Sequence, residues 1–489
     1  MRSWRRAGLP PRDGVMTVLL PFVINAGLNF ALGLLIAYFL GPAEFGRYAI
    51  GAAIIVVLNT ALLDWIRLSA VRFYSQRSRE DQPQIRATLD VLSAGMTIAL
   101  TGLLVAAVVA GVDFGLPVML VAASVLGGIC AGLFDYHGAI ARARFLDAAY
   151  ARLIIVKNVL ALLLMVGGAW WTRDPTIVMF GGVVSVMAAL LAVRRSLADA
   201  PLAWSAARRD LAFDFARYAL PLVGANAIYS LIPLLNRSLL ADAYGFAEAG
   251  YFSLAADMGL RLFGTLAATL EIVMLREVLR LEEAKGRRAA QRRIADNLVI
   301  VLMVALPVAA GLFLVLPAFE KLLVPAAFHG RFAAYMLLLL PGFVALTVFV
   351  AGLYPVFLLG KRTGMVTLAA LTGLAANLVL VFGAVALGPE RFALGQTVSF
   401  LTVLVITGWL ALRTLPVLPK PRDVGAILAA VLAMAALVWP LSGRLPPLAE
   451  LLLQAGLGVC VYGGLMLAFD VARCRTLLRL WLATRKRSA

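Results

Sequence analysis

The sequence predicts an all-α membrane protein with about 14 transmembrane helices. Of its 489 residues, 62% are hydrophobic and only 14% are charged, whereas soluble domains are roughly 25% charged. The apolar residues come in blocks of about twenty, the length that a helix needs to cross a hydrocarbon core of roughly 30 Å. One water-soluble core cannot hide this much apolar material, so the bilayer is expected to be the solvent.

Fourteen apolar blocks meet this criterion along the chain. In order they span residues 15–40, 47–68, 87–110, 114–138, 150–172, 176–194, 216–240, 247–272, 294–316, 332–358, 363–387, 392–412, 424–441 and 449–470. The first block is 26 residues long, which exceeds the roughly 7–15 apolar residues of a signal peptide. We therefore expect an uncleaved first helix.

Lysine and arginine are distributed unevenly between the predicted loops. With a cytoplasmic N-terminus, the cytoplasmic loops and tails hold 36 of the 44 basic residues and the outer loops hold six. Basic residues accumulate in cytoplasmic loops, so both termini are predicted to be cytoplasmic. The excess of Arg over Lys (38 against 6) suggests a GC-rich bacterium, and hence its inner membrane. The net charge of +18 then needs no nucleic-acid partner.

Two short motifs repeat at a constant offset of 204 residues. Residues 40–51 read LGPAEFGRYAIG and residues 244–255 read YGFAEAGYFSLA. The matched positions include Gly41 and Gly245, Glu44 and Glu248, and Gly46 and Gly250. Each motif follows the first helix of a six-helix half, so the halves are expected to share one orientation.

The repeat divides the chain into four predicted parts. These are an N-terminal six-helix bundle (1–195), a cytoplasmic linker (196–215), a C-terminal six-helix bundle (216–413), and a C-terminal helix pair with a basic cytoplasmic tail (414–489). The charged run REVLRLEEAKGRRAAQRR at 276–293 is predicted to be a short surface helix.

The sequence lacks the motifs of several enzyme classes. It has no GxxxxGK[ST] phosphate-binding loop, no HExxH motif and only two histidines. Cys130, Cys460 and Cys474 form no CxxC pair, so neither a zinc site nor a disulfide framework is implied. We predict no catalytic residue, metal or cofactor, and we expect the protein not to be an enzyme.

Charged residues inside the apolar blocks are the first candidate site residues, because a charge at the bilayer centre costs roughly 2.5–3.5 kcal/mol on insertion scales. Arg261 lies near the middle of the eighth block, with Asp257 one turn before it. Arg261 is either a cation that binds an anionic headgroup through its bidentate guanidinium, or the partner of Asp257 in a structural pair. Arg237 either adds to a cationic cavity or extends outward to the interface.

Two further groups of polar residues are candidates. Asn25 and Asn29 form a narrow stripe on the first helix that either faces sugars or bonds a neighbouring helix. The second group lies at the cytoplasmic ends of the second and eighth helices and forms either gate latches or structural ion pairs: Asp64, Arg67, Arg72, Glu271 and Arg276.

The run AYFLGPAEFGRYAI at 37–50 resembles the start of polysaccharide-biosynthesis flippases of the O-antigen type. These belong to the multidrug/oligosaccharidyl-lipid/polysaccharide (MOP) exporter superfamily. The helix count, the six-plus-six arrangement and the C-terminal pair extend the resemblance over most of the chain. It implies two bundles around a cationic cavity that alternate between inward-open and outward-open states. The implied substrate is an oligosaccharide on polyprenyl pyrophosphate.

The same resemblance implies roles for particular elements and partners. Arg261 resembles the headgroup-binding arginine of lipid II flippases in this superfamily, and the terminal helix pair resembles one that cradles a lipid tail. The first helices here carry fewer arginines than those relatives do. Implied partners are the lipid-linked glycan, membrane lipids, a polysaccharide polymerase and export machinery.

The residues leave three alternatives open. A drug/cation antiporter of the multidrug and toxin extrusion type needs a buried acid, and the deep spans offer few besides Asp257. A membrane-embedded glycan polymerase is expected to have a large outer loop, whereas the longest here is about Pro317–Arg331. A non-transporting scaffold is the third alternative.

Overall fold

The computed structural model describes residues 12–198, 204–360, 363–413 and 419–475, with the backbone alone at 12–26, 28, 29, 222, 363 and 473. Every regular element in these ranges is helical. The helices are α1 (Arg12–Leu58), α2 (Asp64–Phe73), α3 (Gln76–Asp81), α4 (Gln84–Val109), α5 (Val118–Ala143), α6 (Asp147–Ala161), α7 (Gly167–Thr172), α8 (Pro175–Leu197), α9 (Arg209–Tyr244), α10 (Phe246–Lys285), α11 (Arg287–Leu323), α12 (Arg331–Thr347), α13 (Tyr354–Leu359), α14 (Thr363–Gly383), α15 (Glu390–Leu412), α16 (Pro421–Val438) and α17 (Pro447–Phe469).

Twelve helical segments of the described ranges are long and apolar enough to cross a membrane. A thirteenth is the bent pair Arg209–Pro221 and Val223–Tyr244 within α9. One of the twelve, Phe30–Phe73, contains a break at Gly41 and therefore holds parts of two spans. The described residues thus contain 12 or 13 candidate spans, and the predicted all-α, multi-span fold class is confirmed, while the count of fourteen remains a prediction.

Gly41 and Gly245 turn the chain at equivalent points of the two repeats. Gly41 has φ 72° and ψ 173°, and Gly245 has φ 90° and ψ 163°. Residues with a Cβ rarely adopt such positive φ values, whereas glycine does so readily. We call the end of the molecule that contains these two glycines the outer end, and the opposite end, which contains Gly286, the inner end.

Three spans are continued through π-helical turns. Asn59–Leu63 joins α1 to α2, Leu162–Val166 joins α6 to α7, and Val348–Leu353 joins α12 to α13. A π-turn inserts an extra residue into a helix and often lies at a functional site.

Helices α10 and α11 are much longer than a membrane span. They contain 40 and 37 residues, which at 1.5 Å per residue gives about 60 and 55 Å. They meet at Gly286, which has φ 79°. The prediction of a separate short surface helix at 276–293 is therefore wrong, because this run continues the two membrane helices.

Helix α1 packs against α10, α9, α5 and α8, and α10 packs in turn against α12. Side chains of these helices form one buried apolar cluster that includes Ile36, Phe45, Phe252 and Phe343. The C-terminal pair α16 and α17 packs on α11. The four-part division of the chain remains a prediction.

Candidate functional site

Gly46 and Gly250 bring the two repeat motifs into direct contact at the outer end. A Cβ added to Gly46 would lie 2.0 Å from the carbonyl oxygen of Phe246. A Cβ added to Gly250 would lie 2.0 Å from the carbonyl oxygen of Pro42. The contact is reciprocal, so the backbones of α1 and α10 close the outer end against each other.

The two glutamates of the repeat have different partners. Glu44 pairs with Arg47, whose guanidinium carbon lies 4.5 Å from the centre of the Phe246 ring. Glu248 pairs with Arg331 and accepts a hydrogen bond from the Tyr335 hydroxyl. The repeat thus preserves the backbone geometry, while its acids serve different contacts.

Arg237 and Asp257 form a partly buried ion pair below this contact. Arg237 is 4% exposed, pairs with Asp257 through Nη2 and donates from Nη1 to the Ala49 carbonyl oxygen at 3.0 Å. Arg237 therefore does not extend to the interface, and it gives Asp257 a partner on the neighbouring helix α9. Spacing along one helix predicted only a partner within α10, whereas this partner of Asp257 comes from the neighbouring helix α9.

Arg261 lies about one turn after Asp257 on α10 and is exposed. Its guanidinium carbon is 3.7 Å from the position that a Cβ on Gly33 of α1 would occupy. We call the region where Arg261 of α10 approaches Gly33 of α1 the central cleft.

The predicted residues Asn25 and Asn29 lie on α1, about two turns and one turn before Gly33, respectively. Their side chains are outside the described part of the structure, so their predicted contact with sugars remains a prediction. Their backbone position is on the segment of α1 that Arg261 approaches.

Leu262, the residue after Arg261, belongs to a different surface. Leu262 lines an apolar groove of about 740 Å³ between α10, α11, α16 and α17. Other residues of this groove are Met303, Pro307, Val438, Tyr462 and Met466. Consecutive residues of α10 therefore contact a cationic cleft and an apolar groove.

The groove is held together at a proline in α11. Pro307 has no N–H and cannot donate to the carbonyl of Met303, four residues earlier. The hydroxyl of Tyr462 on α17 donates to this carbonyl instead, at 2.7 Å. A side chain of a neighbouring helix thus satisfies the carbonyl that the proline leaves without its helical partner.

Replacing Tyr462 with phenylalanine is expected to destabilise the protein by about 1–3 kcal/mol, because the Met303 carbonyl loses its partner. The measurement is thermal unfolding of the purified protein in detergent. Tyr38→Phe is the matched control, since Tyr38 is 65% exposed. An equal melting temperature for Tyr462→Phe and Tyr38→Phe would show that the bond to Met303 contributes nothing.

At the inner end, Asp64 and Arg67 form the predicted ion pair. The guanidinium carbon of Arg72 lies 6.0 Å from the centre of the Tyr218 ring of α9. Glu271 forms no ion pair with Arg276 among the described side chains, which corrects the expected match to Asp64 and Arg67. Arg276 is five residues further along α10, about 140° around the helix from Glu271.

The structure shows several polar residues inside the helices that were not among the candidate site residues predicted from the sequence. Asn59, in the first π-turn, donates to Asp135 of α5 at 2.9 Å. Lys157 was counted with the cytoplasmic basic residues, but it lies within α6, with Nζ 5.0 Å from the centre of the Phe134 ring. The sequence does carry a signal for these contacts, because Lys157 lies inside the apolar block 150–172 and Asp135 lies inside the block 114–138. Within the ranges described, no three His, Cys, Asp or Glu side chains converge as a metal site would require.

Solved transporter structures share this architecture. The lipid II flippase MurJ, in an inward closed conformation, superposes with a TM-score of 0.76 at 14% identity, over 95% of this chain and 100% of the flippase. A MATE family multidrug resistance transporter of the MOP superfamily, in an inward-facing conformation, superposes with a TM-score of 0.55 at 13% identity, over 82% of this chain and 98% of the transporter. The chain has the MOP fold.

The likeness to MOP proteins lies in the structure rather than in the sequence. No protein-family model and no curated protein sequence matches the chain. The resemblance that the LGPAEFGRY stretch suggested is confirmed at the level of the MOP fold. Both neighbours with this fold are transporters rather than enzymes.

Proposed function

We propose that the protein is a flippase that moves a polyprenyl-pyrophosphate-linked oligosaccharide from the cytoplasmic to the outer leaflet of a bacterial inner membrane. The observation that carries the proposal is the pair of neighbours on α10. Arg261 faces the central cleft beside Gly33, and Leu262 lines the apolar groove. A lipid-linked pyrophosphate has the same two parts, an anionic headgroup and an apolar tail.

The physical need for such a site is clear. A pyrophosphate-linked glycan loses the hydration of its charges and hydroxyls if it enters hydrocarbon alone. In the proposed mechanism the cleft replaces that water, and the guanidinium of Arg261 binds pyrophosphate oxygens through paired hydrogen bonds. Asn25 and Asn29 are proposed to contact sugars, while the prenyl chain stays in the groove.

Alternating access is proposed to follow from the closed outer end. The contact between Gly46 and Gly250 separates as the outer end opens, and the side chains of Asp64, Arg67 and Arg72 rearrange as the inner end closes. The resemblance to a lipid II flippase over 95% of the chain supports this mechanism. The fold neighbour of the MATE family keeps a drug/cation antiporter as the second candidate. The flippase is favoured because Asp257, the acid of the central cleft, is already paired with Arg237.

The proposed orientation has both termini in the cytoplasm, as the distribution of basic residues predicts. A polysaccharide polymerase and export machinery that use the flipped repeat unit are the proposed partners. No enzymatic step is assigned to this chain.

The proposed function is tested by mass spectrometry of lipids from cells that lack the protein. We expect a polyprenyl-pyrophosphate oligosaccharide to accumulate, and to be cleared at least tenfold by the native protein but not by Arg261→Ala. Arg77→Ala is the matched control, because the Arg77 side chain is 92% exposed at the inner end.

The outcomes separate the two candidates. Clearance by both arginine variants would retain the flippase and remove Arg261 from the headgroup site. No accumulation in cells that express the glycan pathway would contradict the flippase and favour the cation antiporter, which a drug-efflux assay then tests.

A further inference from the structure

A second cavity, of about 360 Å³, lies toward the inner end of the molecule. It is bounded by α9, α10, α12, α13, α14 and the π-turn between α12 and α13. Most of its lining is apolar, and Glu271 is the only carboxylate among the lining residues. The other polar side chains are Asn226, Tyr229, Tyr354 and Thr367.

Glu271 is half-buried here, and no cationic side chain of the described residues pairs with it. No described salt bridge includes it, and no Lys, Arg or His side chain lines the cavity. The Tyr229 hydroxyl is buried and has no hydrogen-bond partner. Half-burial makes the ionised carboxylate less stable than it is in bulk water, so binding of a proton or a cation is favoured at this position.

The cavity is bordered by two irregular helices. On one side α9 bends by 53° at Pro221–Val223. On the other side Phe349 and Val350 belong to the π-turn Val348–Leu353. Bends and π-turns mark positions where a helix departs from regular hydrogen bonding. A change of charge at Glu271 therefore acts between two helical segments, the bend in α9 and the π-turn after α12, whose regular hydrogen bonding is already interrupted.

We propose that Glu271 is a protonation site whose occupancy sets the balance between the open and closed outer end. A proton from the solvent joins the carboxylate, no covalent bond between heavy atoms changes, and the side chain that lines the cavity becomes neutral. The size of the cavity favours a proton over a dehydrated metal ion. At about 30 Å³ per water the cavity holds roughly ten waters, which is too large a space for its side chains to coordinate a dehydrated ion.

The other ionisable groups around Glu271 can be named element by element. Tyr229 of α9 and Tyr354 of α13 line the cavity, and phenols titrate near 10. Neither α12 nor α14 contributes an ionisable lining residue in the described structure. On α10 itself, Arg276 and Glu277 lie further toward the inner end. Between pH 5 and 8, Glu271 is therefore the lining group expected to change charge.

The inference deepens the proposed function by assigning a proton as the coupling ion, and its test reads conformation rather than lipid movement. Spin labels are attached at Val112→Cys and Val385→Cys, two exposed outer-loop positions, in a chain without Cys130, Cys460 and Cys474. Their distance is measured by double electron–electron resonance in nanodiscs of phosphatidylethanolamine and phosphatidylglycerol, in potassium buffer from pH 5.5 to 8.5.

We expect the ratio of long to short distances to change at least threefold over this range in the labelled protein. Glu271→Gln, which mimics the protonated acid, is expected to keep the low-pH ratio at every pH. Glu283→Gln, on the exposed part of the same helix, is the matched control and is expected to titrate normally. Tyr229→Phe is expected to shift the midpoint of the titration without abolishing it.

Three results would overturn the inference. The first is a ratio that does not change with pH, and the second is a Glu271→Gln variant that titrates like the control. The third is a pH-independent response to Na⁺ that Glu271→Gln abolishes, because it would assign a metal cation to the site. Failure of the flippase proposal is detected by a separate measurement, as the absence of accumulated lipid in cells that lack the protein.

Discussion

Replacing Gly46 with alanine is expected to force the outer end of the molecule apart. The added methyl group would lie 2.0 Å from the Phe246 carbonyl oxygen, so α1 and α10 must separate. Overpacking of this kind costs about 1–3 kcal/mol, which corresponds to a roughly 5- to 150-fold change in the ratio of closed to open molecules. The spin-label distance between Val112→Cys and Val385→Cys is expected to lengthen, and clearance of the accumulated lipid is expected to fail.

The repeat supplies an internal check on this expectation. Gly250→Ala creates the same 2.0 Å clash, with the Pro42 carbonyl oxygen, and should have the same effect. Gly102→Ala on α4 is the matched control, because its Cβ would meet nothing within 4 Å. If Gly46→Ala keeps both the short distance and normal lipid clearance, the glycine contact does not control closure.

Replacing Arg237 with methionine is expected to cause a large loss of stability, about 3–5 kcal/mol, since it leaves the Asp257 carboxylate without its partner. Asp257 is 30% exposed, so water offsets part of this loss and the lower end of the range is expected. The Ala49 carbonyl also loses the hydrogen bond from Nη1. The measurement is thermal unfolding in detergent, together with the yield of folded protein.

A double variant distinguishes charge from packing. Arg237→Met combined with Asp257→Leu removes both charges and is expected to recover most of the lost stability, because buried pairs can often be replaced by apolar residues at little cost. If the double variant is less stable than Arg237→Met alone, packing around Arg237 is the larger contribution and the ion-pair explanation is wrong.

The fold could be predicted in detail because it depends on features that are local in sequence. The lengths of the apolar blocks predicted the multi-span fold, and the glycines of the two motifs lie where the chain breaks, at Gly41 and Gly245. The exit from α10 was mispredicted, because a charged amphipathic run continues a membrane helix as readily as it forms a separate one. Only the structure shows that the run stays helical up to Gly286.

The candidate site was only partly predictable, because its key contacts join distant helices. The sequence identified Arg261 and Asp257 by their depth, but spacing on one helix could not reveal that Arg237 of α9 pairs with Asp257. Similarly, Pro307 predicts a carbonyl without its helical partner, yet nothing local indicates that Tyr462 satisfies it. The cavity of Glu271 depends on a bend in α9 and a π-turn after α12, neither of which a hydropathy pattern encodes.

One mechanical consequence follows from the uninterrupted course of α10. The helix contacts α1 at Gly250, reaches the central cleft at Arg261 and borders the inner cavity at Glu271. At 1.5 Å per residue these points lie about 16 and 31 Å from the glycine contact. If α10 pivots there as a rigid lever, a tilt of about 10° moves Arg261 by about 3 Å and Glu271 by about 5 Å. A displacement of Glu271 at the cavity would then move Arg261 at the cleft by about half that distance. The helix itself would transmit the motion, without a series of rearranged side chains.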